Sequence, residues 1–186
     1  MTDRTRKFFF LVILILAVAG LAGCDSGGDK GGGGKGSPGS FEPEAQARSG
    51  DIWLKLEKAS ATHVTLHVIG DGISGAYGVA GKLIFDTSVL GMEGGGAGTA
   101  LEGGSASVLA AIKGNDEGGV FGFSRSGDYN HSVDLKADKV IGILEFNVTK
   151  KGAVKIAFDP DHSKVMSHEL KSVEVTHWLG GTITIK

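Results

Sequence analysis

The chain has one cysteine in 186 residues. An intrachain disulfide framework and any multi-cysteine zinc or iron–sulfur site are therefore excluded. Three prolines, with no Gly-X-Y period, exclude a collagen helix. Neither sign of charge dominates, and the net charge of −2 leaves no basic footprint for nucleic acid. Aromatic residues are sparse, at 7%. The longest apolar stretch, Phe8 to Ala22, is 15 residues. That falls short of the ~20 needed to span a bilayer as a helix. What remains is 41% hydrophobic residues, enough for a packed core. There is also an excess of glycine, 32 residues, gathered around Gly20–Gly39 and Gly70–Gly104.

Arg4, Arg6 and Lys7 precede the apolar stretch, and Gly20-Leu21-Ala22-Gly23-Cys24 closes it. A charged start, a short apolar run and small residues at its end are the layout of a secretory signal. Leu21-Ala22-Gly23-Cys24 resembles the bacterial lipobox, and the sole cysteine stands where that signal places it. The resemblance implies cleavage after residue 23 and lipidation of Cys24. Acyl chains at ~0.8 kcal/mol per buried CH₂ would anchor the protein. The expected location is the bacterial cell envelope, with inner or outer membrane left open. Residues 24–50 are rich in Gly and Ser, lack an apolar period and read as a flexible tether. Phe41 is the one large apolar group in it.

Residues 51–186 read as strands. Thr62–Ile69 alternates, with Val64, Leu66 and Val68 on one side and His63, Thr65 and His67 on the other. Similar short runs occur over Ile52–Glu57, Gly78–Asp86, Ser105–Ile112, Val120–Arg125, Lys139–Lys150, Ala153–Phe158, Leu170–Thr176 and Thr182–Lys186. About nine strands separated by turn signals predict an all-β sandwich or jelly roll.

Patterns associated with chemistry fail on context. Gly70-Asp71-Gly72-Ile73-Ser74-Gly75 fits G-x-G-x-x-G, but no helix follows to meet a phosphate. His63 and His67 have the spacing of a zinc helix, yet on a strand they stand roughly 13 Å apart. Gly122-Phe123-Ser124-Arg125-Ser126 lacks the second glycine of a nucleophile elbow. Asp159-Pro160-Asp161 lacks EF-hand spacing. His162 and His168 read as loop residues. No catalytic residue, metal or cofactor is assigned.

The order of the strands resembles that of a cohesin domain, the jelly-roll module that binds dockerin. The resemblance runs through Val64–Val68, Leu83-Ile84-Phe85-Asp86-Thr87-Ser88-Val89-Leu90, Gly142-Ile143-Leu144-Glu145-Phe146-Asn147-Val148 and Gly180-Gly181-Thr182-Ile183-Thr184-Ile185. Phe85 and Thr87 stand where the family has tyrosine and proline. The resemblance implies that one sheet, made by the family's third, fifth, sixth and eighth strands, receives the dockerin helices. By position these would be Gly78–Asp86, Ser105–Ile112, Val120–Arg125 and Lys139–Thr149. Alternation then turns Lys82, Ile84, Ile141, Ile143, Glu145 and Asn147 outward as a partner-binding patch. The expected function is that of a lipid-anchored, non-catalytic, cohesin-like protein-binding module. A carbohydrate-binding module for envelope polysaccharide is the alternative, and its aromatic candidates are Trp53, Trp178, Tyr77 and Tyr129.

Overall fold

The computed structural model describes residues 39–127 and 131–186. The expected signal peptide, Cys24 and most of the expected tether lie outside the described residues. So does Tyr129.

Alternation of β-branched and aromatic residues with polar ones gives strands, and fourteen are formed among the described residues. The larger sheet runs in the order β1 (Gly39–Pro43), β14 (Gly181–Ile185), β11 (Gly152–Met166), β5 (Gly78–Ile84), β8 (Gly118–Ser126) and β7 (Ser107–Asn115). The short β12 (Ser172–Val173) pairs with β11 outside that path. The second sheet runs β13 (His177–Leu179), β2 (Asp51–Ala59), β3 (His63–Gly70), β10 (Val140–Val148) and β6 (Leu90–Ala97). The short strands β4 (Ile73–Ala76) and β9 (Val133–Leu135) pair as a third, two-stranded sheet whose Ile73, Ala76 and Leu135 join the same core. The chain is an all-β jelly-roll sandwich, as its alternation implies.

The core lies between the sheets. Leu54, Leu66, Leu144 and Phe146 from the second sheet join Leu83, Phe121, Phe123, Ile156 and Ile183 from the larger one in a single buried cluster. Phe85 meets Phe146 edge-on at 5.5 Å, a favoured aromatic geometry. Phe123 comes so close to β10 that any side chain at Gly142 would overlap its ring. The glycine there is required by sheet-to-sheet contact.

Three expectations change. First, Gly39–Pro43, expected within the tether, is a strand. Residues 39–43 form β1, with Phe41 opposite Ile183 and packed on the core. Five residues show no measurable period, and this strand exists because β14 offers an edge. Second, Leu90–Ala97 is a strand in spite of its glycines. Gly95 has φ +141°, and a side chain there would strike the Ile143 carbonyl. The glycines serve this close pairing with β10. Third, residues 159–162 continue β11 through a register shift between Asp159 and Lys164. Of the expected strand Leu170–Thr176, only Ser172–Val173 forms.

Candidate functional site

The six expected patch residues do not share a face. Lys82 and Ile84 lie on β5 in the larger sheet. Ile143, Glu145 and Asn147 lie on β10 in the other sheet. Their outward sides point away from each other across the shared core. The fourth strand beside β5, β8 and β7 is β11, not β10. Ile141 is 0% exposed. A bulge between Val140 and Gly142 adds one residue to β10 opposite β3. That extra residue reverses the phase, so Ile141 turns inward.

The outer side of β11, β5, β8 and β7 has an apolar composition that follows from register. Lys164, Ala80, Gly122 and Ala111 form one row across the four strands. Met166, Gly78, Ser124 and Leu109 form the next. Small residues in the middle of both rows make a depression of about 640 Å³. Leu109, 61% exposed, stands at its margin, and along the same side follow Val120, 41% exposed, one row on and Ile84, 46% exposed, two rows on. The Tyr77 hydroxyl at its margin is buried without a hydrogen-bond partner.

Leu170 stands at the same depression and is 78% exposed. It occupies the tight turn between β11 and β12, where the Ser167 amide donates to the Lys171 carbonyl at 2.9 Å. Its φ is +61°, and no other described non-glycine residue has a positive φ. That conformation favours glycine and costs a branched side chain roughly 1–2 kcal/mol. A leucine held in strain and in water, beside an apolar trough, contributes nothing to the core.

A charged row crosses this face between the depression and Ile84. Asp159, Lys82, Val120 and Lys113 are register neighbours. Lys82 Nζ lies 2.8 Å from Glu117 and 3.8 Å from Asp159. The hydrogen bond to Glu117 raises the Lys82 ammonium above its ordinary value, and the same bond lowers the Glu117 carboxyl. Burial pushes the Asp159 carboxyl upward. The His162 hydrogen bond and charge, the Asp161 amide and Lys82 outweigh it, and the carboxyl ends lowered. Lys82 thus offsets the charge of Glu117 and Asp159 within this row.

The opposite outer side carries Lys55, Glu57, His67, Thr65, Glu145, His63 and Glu93. His63 and His67 each meet a different carboxylate, Glu93 at 3.5 Å and Glu57 at 3.7 Å. Ile143 is half-buried on this side, between His67 and Gly96.

The remaining candidates are dispersed. Gly72 and Gly75 take positive φ around β4, which makes the G-x-G-x-x-G stretch a turn and a short strand. Ser124 Oγ donates to the Arg125 carbonyl at 3.2 Å. Among the described residues, no three His, Cys, Asp or Glu side chains gather as a metal set. Trp178 pairs with the inward Ile52 and packs on Phe158 at 5.2 Å. Trp53 follows Ile52 and lies on the other side of the sheet, so the two tryptophans form no common platform.

No protein-family model matches the chain, and no curated protein does. Solved structures do. A type II cohesin domain from the cellulosome of Acetivibrio cellulolyticus matches at TM-score 0.57 and 17% identity, over 72% of this chain and 94% of that one. The sixth cohesin of scaffoldin B from the same organism, solved in complex with a Cel5 dockerin mutant, matches at TM-score 0.53 and 15% identity, over 73% and 98%. A type II cohesin dyad from the adaptor ScaA scaffoldin of that organism matches at TM-score 0.54 and 18% identity, over 70% of this chain. This chain spans about half of the dyad, 46%. The jelly-roll sandwich described above is thus the fold of cohesin domains.

Proposed function

We propose that the protein is a lipoprotein of the bacterial cell envelope, anchored through Cys24, that presents a non-catalytic protein-binding module. The partner is a dockerin-type module, and it docks on the outer side of β11, β5, β8 and β7. One observation carries this reading. That side combines exposed Leu109, Val120, Ile84 and Leu170 with a floor of Gly78, Ala80, Ala111 and Gly122. An apolar surface bordered by a charged row has the makings of an interface core and part of its rim. The fold shared with cohesin domains, one of them solved with a dockerin bound, supports the choice of partner. The reading moves the binding residues from Ile143, Glu145 and Asn147 to the opposite sheet, and keeps Lys82 and Ile84.

Calorimetric titration of the full chain with a panel of dockerin modules from the same genome tests it. Binding by at least one module, lost in Ala111→Glu and kept in Ile143→Asp, is the expected result. Loss in Ile143→Asp with retention in Ala111→Glu would place the partner on the other face. Metabolic labelling with a tagged fatty acid, lost in Cys24→Ser, tests the anchor separately.

A further inference from the structure

Four strands stand at the ends of the two sheets among the described residues: β1 and β7 in the larger, β13 and β6 in the other. An exposed edge invites pairing with another chain unless something blunts it. Three of the four are blunted. β1 has five residues and ends in Pro43, which has no N–H. β13 has three residues. β6 carries Gly94, Gly95 and Gly96, with φ +141° at Gly95 and a register shift against β10.

β7 is different. It has nine residues and no proline, and its pairing with β8 runs without a shift from Ser107 to Asn115. Its one charged residue is Lys113. Leu109, Ala110 and Ala111 are all exposed. Consecutive residues of a strand point to opposite sides, so exposure of all three marks a stretch of edge open to solvent. β6 packs beneath the second half of the strand, where a side chain on Gly95 would sit 3.0 Å from Ile112 and one on Gly114 2.8 Å from the Met92 carbonyl.

We infer that β7 pairs antiparallel with β7 of a second copy of this chain, about a two-fold axis at Ala110. The sequence of the strand is self-complementary in that register. Leu109 faces Ala111 of the second copy, large against small. Val108 faces Ile112, so β-branched residues oppose each other. Lys113 faces Ser107, and no like charges meet. An interface of this kind uses the same patch on both subunits. It continues the larger sheet from one copy into the next and sets the two docking faces side by side. A partner with two modules would then bind both copies and gain from their proximity.

The full chain, carrying a photo-crosslinking amino acid at position 110 and produced in bacteria, tests the pairing. The expected product is a covalent dimer of this chain. Leu109→Glu combined with Ala111→Glu opposes like charges twice across the axis and should lower the dimer yield roughly tenfold. Leu109→Glu combined with Ala111→Lys sets opposite charges in the same places and should restore it. All the substituted positions are exposed, so the fold carries both variants. Sedimentation equilibrium of the unsubstituted chain should show dimer without any probe. A monomer alone, an adduct with a different protein, or equal yields from the two charged variants would overturn the inference. Dockerin capture is read separately, so failure of the dimer and failure of the docking face are distinguishable.

Discussion

The two outer sides of the sandwich are built on the same pleat and the same core, yet they differ in chemistry. Outside β2, β3, β10 and β6, outward positions hold Lys, Glu and His, and the histidines contact carboxylates at 3.5 and 3.7 Å. Outside β11, β5, β8 and β7, outward positions hold mostly Gly, Ala, Val, Ile and Leu, with the charges gathered in the Asp159–Lys82–Lys113 row and at Lys164. A sheet face that only meets water gains nothing from exposed leucine. The first side has the composition of a solvated surface, and the second has the apolar composition that an interface would use. Alternation determines which residues face outward. It does not determine which outward side is used, and the size and charge of those residues do.

The comparison breaks most completely if the shared core is removed. Phe123 fills the space between the sheets against Gly142. Phe123→Ala should cost about 3–5 kcal/mol, lowering the melting temperature by roughly 10 °C and abolishing both faces together. Thermal denaturation followed by circular dichroism reads this. A bulkier residue at Gly142 should be as damaging, because the ring has nowhere to move.

A charge on one side only should separate the faces. Gly122 has open space where a side chain would point. Gly122→Glu should therefore change stability by no more than about 0.5 kcal/mol. Buried against a partner, the same carboxylate should weaken binding by about a hundredfold or more. Glu145→Ala, on the other side, should leave affinity within about twofold. Isothermal calorimetry with one dockerin-type module compares the two.

Leu170 offers a finer test, because stability and binding should move in opposite directions. Leu170→Gly relieves the positive φ and should raise stability by roughly 0.5–1 kcal/mol. It also removes the most exposed leucine from the trough margin, and affinity should fall. Chemical denaturation and calorimetry on the same variant show whether the two effects diverge.

The smallest effect concerns the charged row. Glu117 is lowered by its bond from Lys82. A carboxyl lowered in the folded state contributes stability above its ordinary value, and that contribution is lost as pH falls through the lowered one. Lys82 is raised, so its share is complete below the ordinary lysine value and is lost as pH rises through the raised one. Lys82→Met should return Glu117 toward the ordinary carboxylate range in an NMR titration of side-chain carboxyls.

The strands that alternate are legible from sequence alone. Val64, Leu66 and Val68 face inward as their period implies, and so do Leu83 and Phe85. Ile141 defeats the same reasoning, because a bulge is one added residue and leaves no mark in hydropathy. The assignment of β10 to the docking sheet fails for a related reason: which strands neighbour each other is a long-range property, and periodicity is local. β1 is hidden because its pairing comes from the far end of the chain, 142 residues later at the Phe41–Ile183 pair. β6 is hidden because glycine looks like loop until the approach of the Ile143 carbonyl is seen. Leu170 carries no signal at all in sequence, and its significance is a backbone angle. Lys82 and Ile84 face outward as their period implies, because their strand is regular.

Hydrogen exchange of the full chain, with and without a bound dockerin-type module, tests the choice of face most directly. Slowed exchange confined to β5, β7, β8, β11 and the turn at Leu170, with β2, β3, β6 and β10 unchanged, is the result expected here. Slowed exchange on β3 and β10, with β5 and β8 unaffected, would contradict it.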